Sequence, residues 1–378
     1  MKKLDLLEIR GQLDSIDREI VELFEKRMRL SGEVAEFKIE TGKPVYDKER
    51  ETQKIDSVTG MVEDAFMKQA VSELFTQMMT ISRHYQYKLM AEHGMKGEDT
   101  FQPVKSIPTD GVKVVYQGVE GAYSHAATLQ YFGTDISCYH VVTFEDAMKE
   151  VESGRADYAV LPIENSSAGA VIDNYDLLMK YNNYIVAETF LTVNHGLLGL
   201  KDSRTEDIRT VFSHPQALMQ CSEFLNANRN WKQISVENTA AAAKKIIEEG
   251  DPTQAAVASE TAARLYGLKV LNSSINHNKS NTTRFIILSN KRIYREEAQK
   301  ISISFELPHK SGTLYNMLSN MIYNGVSMIM IESRPIPGRN WEYRFFVDME
   351  GNLSECSIQN ALKGILEEGR NMRVLGNY

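Results

Sequence analysis

The chain has 378 residues, 42% hydrophobic and 25% charged, with only nine prolines, so it reads as globular and long enough for two or three domains. A net charge of −8 works against nucleic-acid binding, whose affinity comes mainly from neutralised phosphates, so an anionic ligand would need a local basic cluster. Three cysteines without a CxxC pair argue against a disulfide framework or a zinc site, and charges scattered through the first residues with no apolar window of ~20 predict a cytosolic chain with no leader and no membrane span.

In chain order, Leu6, Ile9, Leu13, Ile16, Ile20, Leu23, Leu30, Val34 and Phe37 recur at helical spacing, which predicts one long helix over residues 4–41, ended by Gly42 and Pro44. A second helix is expected from about Asp47, and a third over 64–90 with Phe66, Ala70, Leu74, Met78 and Ile81 along its seam. So thin a set of helices cannot enclose a core alone, which favours a homodimer or a higher homo-oligomer. Residues 92–111 lose periodicity and gather Gly, Pro and charge, and read as a linker.

From 112 to 291, short apolar runs at 112–116, 158–162, 184–189, 210–213, 255–259 and 285–289 alternate with helical stretches. This order predicts βαβ units and a mainly parallel sheet in two lobes, with ligands at the carboxyl ends of strands, where "PIENS" and "SHPQ" fall. Residues 298–378 read as strand 301–307, helix 312–323, strands 326–333 and 343–349, helix 356–366 and strand 373–375, the βαββαβ order of a ferredoxin-like α+β domain.

The chemistry starts on the first helix. Arg27 interrupts the apolar stripe between Leu23 and Leu30, and a core-facing cation is costly unless it is paired or given an anionic ligand. Lys38 lies on nearly the same face roughly 16 Å along the axis, whereas Arg10 is ~25 Å from Arg27 and would join it only across a dimer. Asp47, Arg50 and Glu51 share a face of the second helix, as Ser82 and Gln86 do on the third. Any one of these residues taken singly, Arg27 excepted, reads as part of a solvated face.

Taken in order, these eight positions resemble the all-helical chorismate mutases over residues 4–90. The resemblance implies a swapped helical dimer in which Arg27, Arg50 and the partner's Arg10 hold carboxylates. Lys38 and Gln86 would donate to the breaking ether oxygen, Glu51 would take the substrate hydroxyl, and Asp47 and Ser82 would complete the site. Such a rearrangement needs a held conformation and charge stabilisation and no nucleophile.

In the middle region, "YQGVEGAYSHAA" (116–127) has the look of a phosphate loop, but its spacing is wrong for G-x-G-x-x-G and no acidic residue follows a second strand. Read singly, "LPIENSSAGAV" (161–171), "SHPQALMQC" (213–221) and "NTTRF" (281–285) are turn-rich text. Together and in order they resemble the prephenate dehydratases. The resemblance implies Thr283 as proton donor to the departing hydroxyl, with Asn165, Ser213 and Gln220 polarising it. Glu164 and Glu237 are further candidates, Arg284 would pair with a substrate carboxylate, and His214, beside Pro215, reads as structural. His277 departs from the family's usual acidic or amide residue.

The tail, through "HKSGTL" (309–314) and "IESRP" (331–335), resembles the ACT regulatory domains, which implies phenylalanine as an effector held by Gly312, Thr313, Leu314, Glu332, Ser333, Arg334 and Pro335. Thr313 and Ser327 depart from the family's usual Ala and Asn. The expected organisation is a helical chorismate mutase domain over 1–91, the linker, a two-lobed α/β prephenate dehydratase domain over 112–291 and an ACT domain over 298–378. The expected activity converts chorismate through prephenate to phenylpyruvate with no cofactor and no metal. The alternatives are a non-catalytic amino-acid sensor on the same domains and a mutase fused to a prephenate dehydrogenase, the latter disfavoured by the missing nucleotide fingerprint.

Overall fold

The N-terminal apolar period folds into a single helix, Leu6–Thr41, in a computed structural model that describes residues 5–93, 101–310 and 312–378. The Asp5 carboxylate accepts from Leu7 N at 2.9 Å to cap its start, and Gly42, at φ 68°, takes the left-handed turn that ends it. Helices Lys48–Thr59 and Ala65–Glu92 follow. Their core is small, a cluster of Val45, Tyr87 and Met90 with Ile39 packed on it. Leu13, Ile16, Ile20, Leu23 and Leu30 remain half exposed or more, a continuous apolar stripe too large for a solvated helix face.

The same compact unit contains Ile303–Arg373. Strands Lys300–Leu307, Met328–Pro335, Tyr343–Glu350 and Arg370–Asn377, with helices Thr313–Tyr323 and Cys356–Glu368, follow the expected βαββαβ order. In the sheet the second of these strands is at the edge, then come the third, the first and the fourth. The sequence sets this segment apart from the helices, but Cys356–Glu368 packs on Ala65–Glu92 and the two form one unit.

The second unit spans described residues 101–302 and Val374–Tyr378, and besides one two-stranded ladder it holds two larger sheets, as the two-lobe expectation requires. One runs Tyr184–Thr192, Thr282–Ser289, Tyr158–Asn165, Lys113–Gln117, Ser137–Val141, and the other Lys269–Asn272, Gly196–Gly199, Gln254–Ala258, Thr210–Ser213, Lys232–Ser235. Both are mixed, which corrects the mainly parallel expectation. Thr282–Ser289 enters antiparallel between Tyr158–Asn165 and Tyr184–Thr192, and Gly196–Gly199 is antiparallel to both its neighbours. A late strand inserted between two earlier ones leaves no mark in a βαβ pattern.

The linker also needs correcting. Gln102–Val104 pairs in parallel with Ile293–Arg295, and Ile107 is buried in the core under the first sheet, while residues 94–100 lie outside the described residues. Among the described residues no helix is long and apolar enough to cross a membrane.

Candidate active sites

The helical cluster assembles around Arg27. Its Nη1 donates to Met78 O at 3.0 Å and to Ser82 Oγ at 2.5 Å. Three turns on, Lys38 Nζ donates to Val45 O at 2.7 Å and to Gln86 Oε1 at 3.2 Å, which leaves the Gln86 amide NH2 to donate elsewhere. Burial lowers the pKa of both cations, opposed at Arg27 by Glu51 and at Lys38 by Asp47, Glu367 and Glu51. Desolvated cations of this kind favour an anionic ligand. Asp47 caps the second helix by accepting from Arg50 N at 3.0 Å, the Arg50 side chain is exposed, and Arg10 lies on the exposed early turns of the first helix.

Glu51 does not stand alone. Arg83 Nη1 donates to its two oxygens at 2.7 and 2.5 Å, and Tyr87 donates its hydroxyl to Glu367, with both partners from outside the expected set. Burial pushes the Glu367 carboxyl up to about 7, and its Oε2 is buried without a partner.

In the second unit a cavity of about 840 Å³ is lined by Asn165, Thr283, Gln220 and Glu237 among the expected residues, and by Tyr123, His195, His214 and Asn238 among others. Asn165 and Thr283 face each other across the ladder. Asn165 Oδ1 accepts from Ser167 N and Ala168 N, both at 3.0 Å, which turns its Nδ2 toward Thr283 Oγ1 and Asn281 Oδ1, both at 2.8 Å. Thr283 therefore accepts from Asn165 and keeps its own proton free to donate. His195 Nε2 lies 3.0 Å from Gln220 Oε1, and its Nδ1 3.0 Å from the Tyr123 hydroxyl. Burial holds the imidazole below its ordinary pKa, and with Gln220 Oε1 as its acceptor Nε2 carries the ring proton, which leaves the Gln220 NH2 unspent by this pair.

Three expected residues do not line this cavity. The Ser213 hydroxyl is fully buried and donates to Val257 O at 2.6 Å across the sheet. Arg284, one residue from Thr283, falls on the other face of its strand, where Nε donates to Glu188 at 2.7 Å and Nη2 to the Tyr378 hydroxyl at 2.7 Å. Glu164, opposite Arg284 in register, lies 3.8 Å from it. His214 caps the helix Pro215–Gln220 by accepting from Gln216 N at 3.3 Å.

In the C-terminal segment Gly312, at φ 80°, leads into the helix Thr313–Tyr323, and the Thr313 hydroxyl donates locally to Pro308 O and Lys310 O. Leu314 follows in the first turn. Glu332, Ser333, Arg334 and Pro335 lie on the edge strand, opposite Phe346, Phe345, Arg344 and Tyr343.

The residues that motif reading misses are Arg83, Tyr87, Glu367, Tyr123 and His195. The one available signal is a polar residue in an apolar setting: "TVNHGLLGL" puts His195 at the mouth of a buried strand.

A family model for chorismate mutase type II matches residues 9–87 and one for prephenate dehydratase matches 114–293. The bifunctional chorismate mutase/prephenate dehydratase of Escherichia coli (strain K12) is 33% identical over 379 aligned residues, covering 99% of this chain and 96% of that one. Among solved structures, the prephenate dehydratase of Arthrobacter aurescens in complex with L-Phe is 29% identical with a TM-score of 0.66, over 71% of this chain and 89% of that one. A quorum quenching acylase of a novel type is 31% identical with a TM-score of 0.63, over 70% of this chain and 97% of that one. By its two family matches and its full-length relatives, the chain belongs to the bifunctional chorismate mutase/prephenate dehydratases.

Proposed function

We propose a division of labour in which the cluster around Arg27 rearranges chorismate and the cavity around Thr283 converts prephenate, the two reactions of this family's route toward phenylalanine. At the first site Arg27 and Arg50, with Arg10 from a second copy, hold the two carboxylates. Asp47 and Ser82 support them, Lys38 and Gln86 donate to the ether oxygen as its bond breaks, and Glu51 accepts the substrate hydroxyl. The exposed stripe of the first helix supports at least a homodimer.

At the second site Thr283 passes its proton to the hydroxyl leaving the prephenate ring, which departs as water. The electrons of the bond to the lost carboxylate enter the ring as carbon dioxide leaves, and Thr283 recovers a proton from solvent. The Asn165 hydrogen bond to Thr283 carries this reading, because it fixes the hydroxyl as acceptor on one side and donor on the other. No Lys or Arg is among the described residues lining the cavity. The substrate carboxylates are therefore assigned to the Gln220 NH2 and the start of the helix Tyr123–Phe132, whose cap residue Ala122 offers no side chain to its free N–H groups. Glu237 faces the same cavity, whereas Arg284, Glu164 and Ser213 brace the fold around it.

The segment after residue 298 is assigned as an ACT regulatory domain that takes phenylalanine at Gly312, Thr313, Leu314 and the strand residues Glu332, Ser333, Arg334 and Pro335. The enzyme is placed in the cytoplasm. Supplying prephenate and chorismate separately to Thr283→Ala tests the division: phenylpyruvate formation stops while chorismate is still consumed. Loss of both activities together overturns it.

A further inference from the structure

Arg83 lies at the centre of a charged chain built from three separate helices. Its Nη1 holds both oxygens of Glu51, on Lys48–Thr59, and its Nη2 donates at 2.9 Å to Glu368, the last residue of Cys356–Glu368, and at 3.1 Å to Thr80 Oγ1. The guanidinium is 5.0 Å from the Tyr46 ring centroid. The side chains of Arg83, Glu51 and Glu368 are 9%, 23% and 19% exposed, so these pairs are shielded from the water that makes surface pairs weak. The neighbouring Glu367 accepts from Tyr87, one position after Gln86 on the helix that also carries Ser82. The mutase cluster of this chain is thus bounded on one side by the end of a helix from the C-terminal α/β segment.

A guanidinium is a rigid planar fork, so where it sits determines where both its carboxylates sit. With Glu368 in place, Arg83 is shared between two anions. With Glu368 displaced, the whole attraction falls on Glu51 and draws it away from the position in which it meets substrate. A displaced carboxylate is costly in a reaction that depends on a held conformation.

We propose that Arg83 is a positioning residue of the mutase reaction, clamped between Glu51 and Glu368 so that the C-terminal segment sets the place of Glu51. The inference rests on the reading of Glu51 as acceptor of the substrate hydroxyl. A ligand that shifts the end of Cys356–Glu368 then alters chorismate binding, and by reciprocity chorismate binding alters the affinity for that ligand.

The test is a double-mutant cycle in the full-length protein, comparing the parent, Glu51→Gln, Glu368→Gln and the double variant. The readouts are mutase kcat and KM from chorismate consumption, with phenylpyruvate formation from added prephenate as the folding control. Glu368→Gln is expected to lower mutase kcat/KM about fivefold or more while dehydratase activity holds, and to cause no further loss when added to Glu51→Gln. A Glu368→Gln protein within about twofold of the parent overturns the proposal, as does the same proportional loss in both backgrounds or a parallel loss of dehydratase activity. An unchanged Glu51→Gln protein instead removes the reading of Glu51 on which the proposal depends. Arg83→Lys is expected to behave like Glu368→Gln, since an ammonium cannot hold two carboxylates in one plane, and full activity in Arg83→Lys also overturns the clamp.

Discussion

Replacing Thr283 by Val removes one hydroxyl and little else. In the fold it breaks the 2.8 Å bond from Asn165 Nδ2, but that nitrogen retains Asn281 Oδ1 at 2.8 Å. The loss is then one net hydrogen bond, about 1 kcal/mol, too little to unfold a domain. Its catalytic cost is larger, because a positioned general acid contributes ~100-fold to ~10,000-fold, equivalent to roughly 3–5 kcal/mol of barrier. The assay follows phenylpyruvate from saturating prephenate, with a melting curve run beside it. The expected result is a fall in kcat of about 100-fold or more with a melting temperature close to the parent's, and recovery of most activity in Thr283→Ser. A Val variant within about tenfold of the parent, or a Ser variant as slow as the Val one, would refute the proton-donor role.

Arg27 Nη1 alone donates to Met78 O and Ser82 Oγ, which leaves the rest of the planar guanidinium to meet a carboxylate; Arg27→Lys keeps the charge but not that geometry, so chorismate KM is expected to rise about tenfold or more while prephenate turnover is unaffected, and equal kinetics on chorismate contradict the carboxylate-holding role. His195→Ala frees the Gln220 amide to rotate, and dehydratase kcat/KM is expected to fall about tenfold with mutase activity intact; parent-like kinetics on prephenate contradict the orienting role. Glu367 supplies a pH test. Its folded pKa, about 7, lies above the ordinary carboxylate value of 4.5, so the folded state binds the proton more tightly and stability is lost as pH rises from 4.5 through 7. Glu367→Gln is therefore expected to melt above the parent at pH ~8, with the gap closing by pH ~4.5, and a gap that does not vary with pH contradicts the buried, raised carboxyl.

Elements with a strong period are legible in the sequence. The first helix appears within two residues of its predicted start and ends where Gly42 and Pro44 predict. The strands that end in "PIENS" and "SHPQ" lead into the dehydratase cavity, to Asn165 through one and His214 through the other. Arg284 was legible too, by a different rule: in "TTRF" the strand period of two puts Thr283 and Phe285 on one face and Arg284 on the other, against the role suggested by resemblance. Arg83 was not legible, because its carboxylate partners are 32 and 285 residues away and no local spacing encodes such a bridge. The weakly periodic strands Ser137–Val141, Lys232–Ser235 and Lys269–Asn272 were lost for a related reason, since each is short and partly exposed and offers no apolar run.

The central claim, two independent sites on one chain, is tested most directly by mixing two inactivated proteins. Arg27→Ala and Thr283→Val are each given chorismate alone and then together, and phenylpyruvate is followed over time. The account predicts that the first leaves chorismate unconsumed, the second accumulates prephenate, and the mixture restores phenylpyruvate as prephenate released by one protein is converted by the other. A mixture that stays silent while the Thr283→Val protein accumulates prephenate, or a single variant that forms phenylpyruvate at the parent's rate, would contradict it.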